Sequence, residues 1–316
     1  MKPSVESSLR KLIVEAGTVD AGAKVASNVE VQGSAALTGN GFLTTPIFVA
    51  DKAKAKLTTM NRQTTNLALT GNGQLTVYCA TEKGSNYYAT RTPINLNLSK
   101  FQGILVAEAT YTEDGRFTLD TSNGGAGWTL KIPNGRSVQN SGRTLRIGQL
   151  TGKGTLGGFS AFRNGVTAVA NTWQVGNDST DFTYEGIVTS IDNFNKMGNS
   201  KMTVKGSWDN TGSITISAGT LLLDGGSLGS GALTVARNTT LAGVGTLNNS
   251  AVTINGILQP GKNVTAYTGT IDFGGKNLTI NSSATLKFCA RMCTSSRSRG
   301  CTSLTNINKL TLSGTI

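Results

Sequence analysis

Apolar and polar residues alternate along this chain in short runs, and one small unit keeps returning: apolar residue, threonine, apolar residue. It stands at Leu75-Thr76-Val77, Met202-Thr203-Val204, Ile214-Thr215-Ile216, Leu233-Thr234-Val235, Val252-Thr253-Ile254, Leu278-Thr279-Ile280 and Leu310-Thr311-Leu312. From residue 202 onward the starts are 12, 19, 19, 26 and 32 residues apart (214−202, 233−214, 252−233, 278−252, 310−278). Side chains alternate sides along an extended strand, so the outer two of each copy share one face and Thr points to the other. A β-branched threonine suits the exposed side of a pleated sheet. Glycine- and asparagine-containing turns separate the copies: GSLGSG (226–231), AGVGT (242–246), NGILQPG (255–261) and FGGKN (273–277). No segment keeps apolar residues at helical spacing for three turns, so helices are not expected.

Strands this short do not bury an apolar face alone. Hairpins would need tight two-residue turns, and the turns here are longer. Stacked rungs solve the problem, because each strand pairs in parallel with its copies above and below and the apolar sides meet in a common interior. The pattern therefore predicts an all-β chain folded as a right-handed, single-stranded parallel β-helix. Residues 1–198 are expected to form less regular rungs and 199–316 a repeat array, with an irregular insert over 289–303. Leu221, Leu223, Leu233, Val235, Leu241, Leu247, Val252, Ile254, Leu278 and Ile280 are expected to point inward. Gly229, Gly231, Gly243, Gly245, Gly256 and Gly261 are expected to hold turns that other residues enter only with strain.

Composition adds to this picture. The 316 residues include 40 glycines and only 5 prolines, with 37% apolar, 15% charged and 6% aromatic residues. That is too apolar for a disordered chain, and no apolar run reaches the length of a membrane span. The formal charge is +12 with no histidine. Most charges stand singly. Lys52, Lys54 and Lys56 alternate with Ala53, Ala55 and Leu57, which predicts three ammonium groups on one strand face. After Asp272 no acidic residue occurs, whereas Lys276, Lys287, Arg291, Arg297, Arg299 and Lys309 do. Such charges serve as a solvated face that blocks edge-to-edge pairing, or as an anion site. Aromatic residues are not interleaved with them, which argues against a nucleic-acid platform.

Residues 219–261 read GTLLLDGGSLGSGALTVARNTTLAGVGTLNNSAVTINGILQPG. This stretch resembles the passenger-associated β-strand repeat of autotransporter-type surface proteins. The resemblance lies in Gly219-Thr220-Leu221, in Gly226 to Gly231, in Leu233 to Val235, in Thr240 to Leu247 and in Gly256 to Gly261. Looser echoes run through 199–218 and 262–312. Residues 1–198 share only the style, at GNGFLT (39–44), GNGQLT (71–76) and GKGTLGG (152–158). The resemblance implies a right-handed β-helix, export by a Gram-negative bacterium, and an adhesin-like or stalk role at the cell surface or in the medium. Two features depart from that family. No translocator barrel follows, and CARMCTSSRSRGC (289–301) breaks the β pattern, as an inserted loop or as a reading-frame slip. The first residues lack the apolar core of a secretory signal, Leu12, Ile13 and Val14 being their only apolar cluster; either the protein stays inside or, the favoured reading, the sequence is a fragment of a longer exported chain.

Candidate chemistry is sparse. Without histidine, Ser-His-Asp, Cys-His and His-metal sites are excluded. Cys79, Cys289, Cys293 and Cys301 lack zinc-site spacing, and a disulfide among the last three is open if the chain is exported. A polysaccharide lyase or hydrolase would need clustered carboxylates, and the densest acidic stretch is Asn177 to Glu185. There Asp181, Thr183 and Glu185 are expected outward and Phe182 and Tyr184 inward. Along one strand the two carboxylates would stand about 13 Å apart at ~3.3 Å per residue, beyond the roughly 5–9.5 Å of glycosidase pairs. Glu113-Asp114-Gly115 has the composition of a turn. Trp128, Trp173 and Trp208 are either buried at the rungs or a sugar-stacking surface. The expectation is a non-catalytic, monomeric surface passenger with no catalytic residue, metal or cofactor, no nucleic-acid partner and no membrane span in this segment. Its partners would be glycans or host-surface molecules. A carbohydrate-binding or lyase-type β-helix is the alternative.

Overall fold

Burial along the strands between the first and the last follows the two-residue period, inward side chains covered and most of their neighbours half-exposed or exposed. The computed structural model describes residues 9–22, 26–60, 65–80, 94–109, 116–157, 169–261, 269–288 and 302–313. Two units are present: 1–149 with 158–171, and 150–157 with 172–316. Each is a parallel β-helix.

In the second unit one wall is built from Thr172–Val175, Asn193–Lys196, Ile214–Ile216, Leu233–Val235, Ala251–Ile254 and the ends of Gly269–Ile280 and Thr302–Leu312, all paired in parallel. The register stacks Trp173, Phe194, Ile214, Leu233, Val252, Leu278 and Leu310 in one row. A second row runs Val175, Lys196, Ile216, Val235, Ile254, Ile280 and Leu312. Between the rows, Thr215, Thr234, Thr253, Thr279 and Thr311 stand in register on the outer face. The recurring tripeptide is thus one rung's contribution to this wall. It recurs in register from Ile214 to Leu312.

Met202-Thr203-Val204 belongs to a different wall. It lies between Phe182–Tyr184 and Thr220–Leu228, and the inward row there is Phe182, Met202, Leu221, Leu241, Leu258 and Leu286. The interval of 12 from residue 202 to residue 214 is therefore a step along one rung, whereas 19 (233−214) is a step between rungs. Any short inward–outward–inward strand satisfies the same pattern, so the tripeptide alone does not identify its wall. A third position is held by Leu156 beside Val188 and by Leu228 beside Leu247.

All the residues expected to point inward are buried, from Leu221 to Ile280. The glycine expectations hold only in part. Gly243 and Gly245 lie inside the strand Thr240–Leu247 and not in a turn. Gly243 has φ +112, and a Cβ there would stand 2.0 Å from the Leu223 carbonyl oxygen on the neighbouring rung. Gly231 is not at positive φ, yet a Cβ would stand 1.8 Å from Gly212 O. Close approach of one rung's backbone to the next demands glycine there. At the last strand the inward rows lie open, Leu310 being 50% and Leu312 41% exposed.

The first unit repeats the principle with longer strands. Leu12–Asp20, Val29–Thr38, Lys54–Met60, Gln74–Ala80, Ile104–Ala109 and Thr129–Ile132 stack in parallel. Their inward rows include Ala35, Ala55, Leu75, Leu105 and Leu130, and beside them Leu37, Leu57, Val77 and Ala107. A second ladder joins Val29–Thr38 to Ile47–Val49, Thr65–Gly71 and Ile94–Phe101.

Truncating a covered member of a row should leave a cavity that the neighbouring rungs cannot close. Leu233→Ala and Leu241→Ala are each expected to cost about 2–5 kcal/mol, and Leu312→Ala at the open end less than ~1.5 kcal/mol. Urea unfolding of the three variants measures the difference.

Candidate functional site

The acidic stretch is built as alternation predicts: Phe182 and Tyr184 are buried, Asp181 and Glu185 exposed, and Thr183 half-exposed between them. Its carboxylates are occupied with the fold. Asp181 Oδ1 accepts the Lys201 backbone N–H at 2.8 Å, and its other oxygen lies 2.9 Å from the Lys201 ammonium. Asp178 Oδ1 accepts the Asn199 N–H at 2.9 Å, and Glu185 pairs with Lys153 at 3.3 Å. The backbone N–H of Lys201 and then its ammonium hold the Asp181 carboxyl below its usual range. Burial pushes the Tyr184 phenol up, and its hydroxyl donates to Gly154 O at 2.7 Å with Ile187 O at 3.1 Å. The outward acids clamp one rung to the next.

The tryptophans are interior. Trp128 and Trp173 are fully buried and Trp208 is 2% exposed, so none offers a face to a sugar. The Trp128 indole N–H donates to Arg146 O at 3.1 Å, and that of Trp173 to the buried Asp192 carboxylate at 2.8 Å. Trp208 stacks at a tilt on Phe194, ring centroids 4.7 Å apart. Sugar stacking on these indoles is ruled out by their burial.

Several buried polar groups were not foreseen. Lys196 occupies an inward position between Val175 and Ile216 and is fully buried. Its ammonium donates to Met197 O at 2.9 Å, Gly198 O at 2.8 Å and Ala218 O at 3.2 Å. Those carbonyls belong to turns that the strand ladders leave unpaired, and the ammonium satisfies them. Buried Asn140 joins Thr121 by two bonds, receiving its N–H at 3.0 Å and donating to its carbonyl at 2.8 Å. Asn171 Oδ1 in turn accepts the N–H groups of Asn140 at 3.2 Å and Gly142 at 2.8 Å. Asn210 and Asn249 do similar work in the second unit, through Asp192 O, Gly212 O and Gly231 O. Each of these four asparagines is followed by Ser or Thr, at Ser141, Thr172, Thr211 and Ser250, a signal present in the sequence.

In the lysine cluster of the first unit, side chains gather at the surface without being consumed by the fold. Lys52 leaves the set: it sits in a turn at φ +62, ahead of the strand Lys54–Met60. Lys54 and Lys56 are exposed on the outward side of that strand. Ser34 and Ala36 flank them on one neighbouring rung, Gln74 and Thr76 on the other. The Lys56 ammonium stands 4.4 Å from the centre of the Tyr78 ring. Tyr78 is paired with Glu108, whose carboxylate meets Arg136 at 3.3 Å. Because Gly17, Thr18, Ser34 and Ala36 are small, the surface dips into an open groove of about 560 Å³ beside the two lysines.

The side chain of Cys79, the residues Cys289, Cys293 and Cys301, and Glu113-Asp114-Gly115 lie outside the described residues. Among the described residues no group of three or more His, Cys, Asp or Glu gathers to hold a metal, and no helix is long and apolar enough to cross a membrane. Compared with protein-family models, curated proteins and solved structures, the chain matches none.

Two outcomes follow from these contacts. Lys196→Met keeps the bulk but orphans three carbonyls, and should cost about 2–4 kcal/mol in urea unfolding. Asp181→Asn should cost no more than about 1 kcal/mol, because the pair is exposed. The Asp181 carboxyl is lowered on folding, so its contribution is complete at neutral pH and fades as the pH falls through the lowered value. The gap between wild type and Asp181→Asn should therefore close in acid, which unfolding at graded pH tests.

Proposed function

We propose that this chain is a structural, adhesin-like passenger region, a stalk, of an exported bacterial surface protein, and that it is non-catalytic. The observation that carries this reading is where the passenger-like repeat spends its residues. Leu221, Leu233, Val235, Leu241 and Leu247 fill inward rows, while Gly231 and Gly243 admit the neighbouring rung's backbone. On the wall of Leu233 and Val235 the outward positions carry threonine, Thr215, Thr234, Thr253 and Thr279, with little to react. A repeat that spends its apolar residues and glycines on stacking suits a part whose task is to extend and endure.

The lyase-type alternative has less support. The acids of residues 178–185 bind backbone N–H groups and lysines of their own fold, which leaves them poorly placed to trade protons with a substrate. The carbohydrate-binding alternative loses the tryptophans and keeps the lysine face.

Antibody raised against the purified chain should label intact producing cells, and external protease should remove that signal before the cells lyse. Incubation with acidic and neutral polysaccharides should release no shortened or unsaturated products. Labelling that appears only after lysis would overturn surface display, and turnover of any polysaccharide would overturn the non-catalytic assignment.

A further inference from the structure

We infer that the outward face around Lys54, Lys56 and Tyr78 binds an acidic polysaccharide, a polymer whose sugar rings carry carboxylate or sulfate groups. Residues two apart on a strand point the same way, so the two stems rise about 6.5–7 Å apart on one face. Both ammonium groups are exposed, and a polymer with a regularly repeated anion presents them with more than one partner. Glu108, the carboxylate lining the groove, is matched by Arg136 at 3.3 Å, which leaves the groove positive.

The rest of the surface suits a sugar chain better than other polyanions. Gly17, Ser34 and Ala36 keep the floor low, and Thr18, Ser34 and Thr76 supply hydroxyls that both donate and accept. Tyr78 is half-buried and lines the same groove, and its ring gives an apolar surface with a polar tip, as a sugar ring requires. A single-stranded nucleic acid would seek a succession of aromatic platforms, and one tyrosine is no such succession. The sheet beneath is packed: inward of these lysines lie Ala55, Leu57, Leu75 and Val77, all buried. The inference does not depend on where the chain resides, so it stands or falls separately from surface display.

The test is calorimetric titration of the full chain with polygalacturonate, dextran sulfate, unmodified dextran and single-stranded DNA. The chain is expected to bind at least one of the two acidic polysaccharides, and which of them binds tells carboxylate from sulfate recognition; dextran should not bind. The double substitution Lys54→Gln with Lys56→Gln should weaken binding roughly tenfold, the sum of two exposed charge contacts. Tyr78→Ala should weaken it about threefold or more. Lys276→Gln with Lys309→Gln removes the same charge elsewhere and should change binding less than about twofold. Thermal unfolding of each variant verifies that it remains folded. Three results would overturn the inference: neither acidic polysaccharide binds; the control pair matters as much as Lys54 and Lys56; or DNA binds as tightly through the same lysines.

Discussion

The parallel hydrogen-bond ladder between successive rungs is the constraint on which everything else hangs. It brings equivalent side chains into line about 4.8 Å apart, so whatever a residue does on one rung it must do beside its counterpart on the next. Inward, this turns scattered leucines, valines and isoleucines into continuous rows, since Ile214, Leu233, Val252 and Leu278 touch one another by register. Outward, the same ladder lines up threonines, or in the first unit sets Lys56 between Ala36 and Thr76. Core and surface are two sides of one repetition.

Polar side chains are drawn into the same task. A parallel stack of short strands leaves unpaired carbonyls and N–H groups at every corner, and a buried backbone group without a partner is costly. Asn140, Asn171, Asn210 and Asn249 answer this within the corners, and the Lys196 ammonium answers it with three bonds. Asp178 and Asp181 do so from outside, each reaching the N–H of a residue about twenty positions later. What resembles an acidic cluster in the sequence is scaffolding between rungs. Charge in this protein acts mainly through geometry, and the lysine face keeps its ammonium groups out of such bonds, Lys56 lying instead over the Tyr78 ring.

Much of this was legible in the chain itself, for a physical reason. Alternation reports which side of a strand faces the core, and recurrence at about twenty residues reports stacking, so the inward rows from Leu221 to Ile280 followed directly. The wall to which a strand belongs was harder to read, because Met202-Thr203-Val204 and Ile214-Thr215-Ile216 have the same pattern on different walls. Lys196 and Asp192 escaped notice because residue type predicts exposure, and both are buried with partners that only the fold supplies. The groove was hidden for another reason. Its shape comes from what is small on other rungs, Gly17, Ser34 and Ala36, and no tripeptide marks their registration with Lys54 and Lys56.

The unequal intervals along the strictest wall carry one more consequence. Leu233 and Val252 are 19 residues apart, whereas Leu278 and Leu310 are 32 apart, yet each pair sits in register. The scaffold measures its length in rungs and is indifferent to how much chain is spent getting from one to the next. Insertions at corners are therefore free to accumulate and diversify, while a residue added within a strand would turn the rest of that strand inside out unless a bulge takes it up, as between Asp224 and Ser227. A lineage built on such a frame would be expected to vary in its loops and to keep time in its strands.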